Sequence, residues 1–97
     1  MVRHVVLFRW IEGTTDDQIG QVAAGLSQMS AEISSIRAYS HGRDLKLGSD
    51  RYDYAIVADF DDLEGWREYD EHPLHNKLRA DLIRPLIADR AWAQFDL

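Results

Sequence analysis

At 97 residues, 45% of them hydrophobic, the chain has the length of one domain and too much apolar content for disorder. A net charge of −6, from 17 acidic and 11 basic residues, excludes the basic surface that nucleic acid or an anionic membrane requires. Cysteine is absent, which removes disulfides and thiol nucleophiles and fits a reducing compartment.

Residues 2–11, VRHVVLFRWI, are dense in β-branched and aromatic residues and predict a first strand. Alternation places Val2, His4, Val6, Phe8 and Trp10 on one face and Arg3, Val5, Leu7, Arg9 and Ile11 on the other. Both faces are apolar in the middle, so neither is expected to face water. The run is too short for a signal-peptide core with its cleavage site, and no stretch approaches the ~18 apolar residues of a membrane span. A cytoplasmic protein is therefore the expectation.

A break at Glu12-Gly13 leads to Thr14 or Thr15 as helix N-cap, with Asp16 and Asp17 in the first turn. Ile19, Val22, Ala23, Leu26, Met29 and Ile33 recur at spacings of three and four and predict a helix to about Ile33. Residues 36–44 alternate again, with Ile36, Ala38, Ser40 and Gly42 on one face and Arg37, Tyr39, His41 and Arg43 on the other. Gly48-Ser49-Asp50 signals a turn, and Tyr52 to Phe60 predicts a third strand, hairpin-paired with the second. Asp61-Asp62 caps a short helix from Leu63 to Asp70. Pro73 pushes His72 out of the helical region and opens a further helix, which Pro85 must bend or restart. Residues 89–97 predict a fourth strand. The order β-α-β-β-α-β, with the second helical region split, predicts one α+β domain over residues 1–97 with a ferredoxin-like antiparallel sheet. Helices cover only one face of such a sheet, and a second copy of the chain is the simplest cover for the other.

The stretch Tyr69-Asp70-Glu71-His72-Pro73-Leu74-His75 holds two of the four histidines. With Pro73 first in its helix, His75 is third, where free N–H groups and the helix dipole disfavour the imidazolium. A neutral imidazole near pH 7 can act as a general base. Tyr69 stands just across the bend, where a phenol can donate to a carbonyl or enolate oxygen. His4 joins them if its strand runs centrally beneath the helix pair. Taken singly, each residue is more often structural: His72 as a turn residue, Tyr69 and His4 as core, His41 as an isolated strand histidine. A zinc site from His72 and His75 with Glu71 or Asp70 is disfavoured, because Pro73 breaks the common helical face. No Gly-rich phosphate loop and no G-x-S-x-G occurs, and no metal or organic cofactor is expected.

Together, His4-Val5-Val6-Leu7-Phe8-Arg9, Gly42-Arg43-Asp44, Asp53-Tyr54-Ala55 through Phe60, and the Y-x-x-H-P-x-H run from Tyr69 to His75 resemble the stress-responsive A/B barrel domain family. The resemblance implies a homodimer, a dimeric α+β barrel built by packing sheet face on sheet face. Polyketide cyclases of the olivetolic acid cyclase type, within that family, use a tyrosine and two histidines matching Tyr69, His75 and His4. Their aspartate on the last strand is similar to Asp96, which would fix the His75 tautomer. The resemblance thus implies a cofactor-independent acid–base enzyme acting on a small apolar or aromatic carbonyl ligand, as a cyclase or isomerase. Two other readings accompany it: a non-catalytic stress-response or ligand-binding protein, and a cofactor-free monooxygenase. A closed pocket holding His4, Tyr69 and His75 favours an enzyme; one filled by Trp66 or Leu78 favours the non-catalytic protein. Two departures stand out, namely Asp44 where the family often has Asn, and the small residues Ala23, Ala24 and Gly25, expected to reshape the cavity.

Overall fold

A computed structural model describes residues 1–97. The elements run β1 (Val2–Trp10), α1 (Asp16–Glu32), β2 (Ile36–Arg43), β3 (Tyr54–Phe60), α2 (Leu63–Glu71), α3 (Pro73–Leu78) and β4 (Ile87–Asp96). The four strands form one antiparallel sheet in the order β2-β3-β1-β4, the ferredoxin-like topology.

Local chemistry sets the boundaries. Thr15 caps α1 in a capping box, its hydroxyl accepting from Gln18 N while the Gln18 side chain accepts from Thr15 N. Asp62 caps α2 by accepting from Gly65 N. β3 begins at Tyr54 rather than Tyr52, and Asp53 just before it anchors the start of the strand. Its N–H donates to Phe8 O, its carboxylate accepts from Trp10 N, and Lys46 binds it at 2.6 Å. Beyond α3 the chain does not stay α-helical. Residues Arg79–Ile83 form a π-helical turn, with Arg84 N–H donating to Arg79 O, and Arg84–Leu86 a 3-10 turn. Pro85 has no N–H to continue the ladder and would clash with the carbonyl four residues back, which is why the helix loosens there. β4 starts two residues earlier than expected, directly after that turn.

Helices cover the face carrying Phe8, Tyr54, Ile56, Ala58 and Phe60, all nearly inaccessible. Val22, Leu26, Phe60 and Tyr69 are the largest fully buried side chains, each worth about 1.5–3 kcal/mol of burial for an apolar group of that size. Gly25 lets α1 approach α3: a Cβ there would lie 2.6 Å from Leu78 Cδ1. One facing assignment is corrected. A register shift between Ile36 and Ala38 pairs Ile36 with Phe60 and Ala38 with Asp59, so Ile36 joins the helix-covered face that also holds Tyr39 and His41. The opposite face presents Val5, Leu7, Ala55, Val57, Ala91, Ala93 and Phe95 without cover within the protomer, plus an Arg3–Asp59 pair with two 2.8 Å hydrogen bonds. No helix is long and apolar enough to cross a membrane.

Candidate active site

Three elements bring the site together. β1, central in the sheet, carries His4 on the helix-covered face; α2 carries Tyr69; the first turn of α3 carries His75. All three are buried, and all line one cavity of about 230 Å³ with Trp66, Asp70, Arg79, Arg90 and Trp92 among its other walls. The His75 ring stacks on Tyr69 with centroids 4.2 Å apart, and His4 meets the Tyr69 edge at 5.9 Å.

The bend at His72-Pro73 makes this possible. His72 leaves the helix at φ −63° and ψ 134°, and Pro73 takes the first position of α3, where its missing N–H is no loss. His72 Nδ1 accepts from Leu74 N at 3.1 Å near the surface, while His75 turns inward. The two histidines therefore do not share an approach to one ion.

Hydrogen bonds fix the tautomers. His75 Nδ1 lies 3.2 Å from the Asp70 carbonyl oxygen. A carbonyl only accepts, so Nδ1 carries the proton and Nε2 keeps its lone pair. The Gln94 amide Nε2 donates to His4 Nδ1 at 2.8 Å, which leaves the His4 proton on Nε2. The two histidines thus present opposite capacities, an acceptor on His75 and a donor on His4. Burial lowers the pKa of His75, with the Arg79 guanidinium adding to the effect, so the ring is neutral at pH 7. Burial takes His4 down to about 4, helped by His75. Burial raises Tyr69 above the usual phenol value, so it remains a phenol, 3.3 Å from the Tyr39 hydroxyl.

Asp96 is not part of this arrangement. It is exposed at the end of β4, opposite Val2 and outside the cavity walls, and the contact expected of it at His75 Nδ1 is made by the Asp70 carbonyl. The small residues of α1 do not shape the cavity either. Gly25 faces Leu78 and Leu82, and Leu26 is the α1 side chain in the wall. Trp66 borders the cavity without filling it, and Leu78 packs elsewhere. His41 is held between the Tyr54 hydroxyl at 2.7 Å and Ser27 Oγ at 2.8 Å, a satisfied structural histidine. Gln94, Arg79, Arg90 and Trp92 were not visible as site residues in the sequence. The first needs the β1–β4 register, the second the side that the α3 face from His75 to Arg79 turns inward, and the last two the helix-facing side of β4.

The profile of the Stress responsive A/B Barrel Domain matches residues 2–97. The chain belongs to the stress-responsive A/B barrel domain family. Among solved structures similar to this chain, a dimeric ferredoxin-like protein of unknown function from Thermobifida fusca is 44% identical, with a TM-score of 0.92 over 99% of this chain and 90% of that one. A hydroxynitrile lyase from Passiflora edulis shares the fold at 18% identity, with a TM-score of 0.86 over 99% of this chain and 92% of its own. A cofactor-independent oxygenase from Streptomyces nogalater does so at 17% identity, with a TM-score of 0.77 over 99% and 91%. These two structures share the fold of this chain.

Proposed function

We propose that this A/B barrel protein is a cofactor-independent acid–base enzyme acting on a small enolisable carbonyl compound, in the manner of a polyketide cyclase or an isomerase. The observation that carries the reading is the unfilled cavity walled by a neutral His75 with Nε2 unprotonated, a phenolic Tyr69 and a His4 that offers an N–H. In this reading His75 Nε2 removes a proton from the carbon beside the substrate carbonyl. Tyr69 donates to the carbonyl oxygen as negative charge develops there, and His4 orients the substrate from the sheet side. Preformed donors in a water-poor site are worth more than in solvent, and removing one typically costs about 10²–10³ in rate.

The working unit we propose is a homodimer closed through the open sheet face. Its support is the apolar row of Val5, Leu7, Ala55, Val57, Ala91 and Ala93, together with the dimeric state of the 44%-identical relative. The acid–base reading is tested with aryl ketones and β-keto thioesters in deuterium oxide, following loss of the α-proton by NMR. Protein-accelerated exchange that needs His75 supports it. Oxygen uptake with polyphenols and no exchange would replace it with the monooxygenase reading. Neither activity across the panel would favour the non-catalytic one.

A further inference from the structure

The cavity wall is charged in a way the chain as a whole is not. The protein has a net charge of −6, yet the only carboxylate in the wall is Asp70, against two guanidinium groups and two neutral histidines. Asp70 is already engaged, since Arg79 Nη1 lies 3.6 Å from its carboxylate. Arg79 also donates to the Asp70 carbonyl and to the Asn76 side chain, so it is committed to the joint between α2 and α3. The second guanidinium, Arg90, is free. Of the 11 basic side chains, only Arg51, Arg84 and Arg90 have no carboxylate within 4.0 Å, and of these three Arg90 alone lines this cavity.

The reason lies in the strand. Alternation along β4 puts Arg90, Trp92 and Gln94 on the helix-covered face and sends Asp89 to the other, where it pairs with Arg9. The Arg90 guanidinium rests over the Trp92 ring, 4.8 Å from its centroid, so its position is held by the aromatic face rather than by an acid. Register supplies a ruler. Gln94 stands opposite His4 and Trp92 opposite Val6, two residues along β1, which is about 7 Å of strand. Arg90 itself stands opposite Phe8, four residues or about 14 Å of strand from the His4 level, and its guanidinium lies over Trp92, so an unpaired cation sits at the rim beyond the layer of reacting side chains, beside an exposed aromatic ring.

We infer that the ligand of this cavity carries a carboxylate remote from its carbonyl group, bound at the rim by Arg90 with Trp92 against its apolar body. The inference rests on the acid–base reading for the carbonyl and on the rim alone for the carboxylate. Short α-keto acids do not fit, because their carboxylate adjoins the carbonyl. An aryl ketone or short acyl chain with its acid at the far end does.

The test is isothermal titration calorimetry of the full chain with 4-acetylphenylacetate and with its uncharged amide, 4-acetylphenylacetamide. The acid should bind roughly tenfold more tightly than the amide, the scale of one charge-assisted contact at a part-exposed site. Arg90→Gln should remove that preference. Arg84→Gln, which deletes a free arginine outside this cavity, should keep it, as should His75→Ala. Equal affinity for acid and amide, no binding of either, or an equal loss in Arg84→Gln would each overturn the inference. Acid preference without α-proton exchange would sink the acid–base reading and leave the carboxylate site standing. Exchange with equal acid and amide affinity would do the reverse.

Discussion

Replacing His4 by glutamine should flatten the acid limb of the stability curve. His4 is folded away neutral, with a pKa of about 4 set mainly by burial, whereas an unfolded histidine titrates near 6.5. The folded value is the lower one. The stabilisation is therefore fully present above pH 6.5 and is lost as pH falls toward 4, because the unfolded chain takes up a proton that the folded chain refuses. Between pH 7.5 and 4.5 that difference amounts to about 2.5 kcal/mol, at roughly 1.36 kcal/mol per unit of separation. Urea unfolding of both proteins, at one protein concentration and at both pH values, measures it. The carboxylates titrate alike in the two proteins and cancel in the comparison. Wild type should lose about 2.5 kcal/mol more than His4→Gln over that interval. Equal losses would mean that His4 is not held neutral in the fold, and the electrostatic picture of the cavity would be wrong.

Two other outcomes follow from the packing. Val57→Asp, on the open sheet face, should convert a dimer to a folded monomer by light scattering, whereas Ile56→Asp, on the helix-covered face, should prevent folding; a monomeric wild type at micromolar concentration would contradict the proposed assembly. Gly25→Val should cost about 1–3 kcal/mol by overpacking, since an added Cβ alone would lie 2.6 Å from Leu78 Cδ1, measured as a lowered urea midpoint, and an unchanged midpoint would show that α3 yields freely.

How much of this was legible in the sequence depends on which physical signal carried it. β1 could be read because this central strand is apolar on both faces and dense in β-branched and aromatic residues, and His4 fell on the face that alternation gave it. The His72-Pro73 bend could be read because proline restricts its own φ and its predecessor. Ile36 was placed on the wrong face because a bulge inverts alternation and leaves no mark in residue type. Arg79 sits four residues after His75 at the end of α3, on the same helical face, and it was missed because spacing alone does not say which polar side chain turns into a cavity. Arg90, Trp92 and Gln94 depended on strand register, which is a property of pairing rather than of β4 itself. Asp96 was assigned from resemblance, and its exposed place at the end of β4 leaves the Asp70 backbone carbonyl to set the His75 tautomer.

His75 Nε2 is the proposed base of this cavity, and the most direct measurement of that role is the pH profile of α-proton exchange for wild type and His75→Ala on a compound the wild type turns over. General-base catalysis of this kind typically contributes ~10²–10⁴-fold, so the alanine variant should fall by about that factor. The wild-type profile should keep its activity to pH values below 6.5, because burial lowers the His75 pKa. Exchange that proceeds in His75→Ala at the wild-type rate would contradict the account.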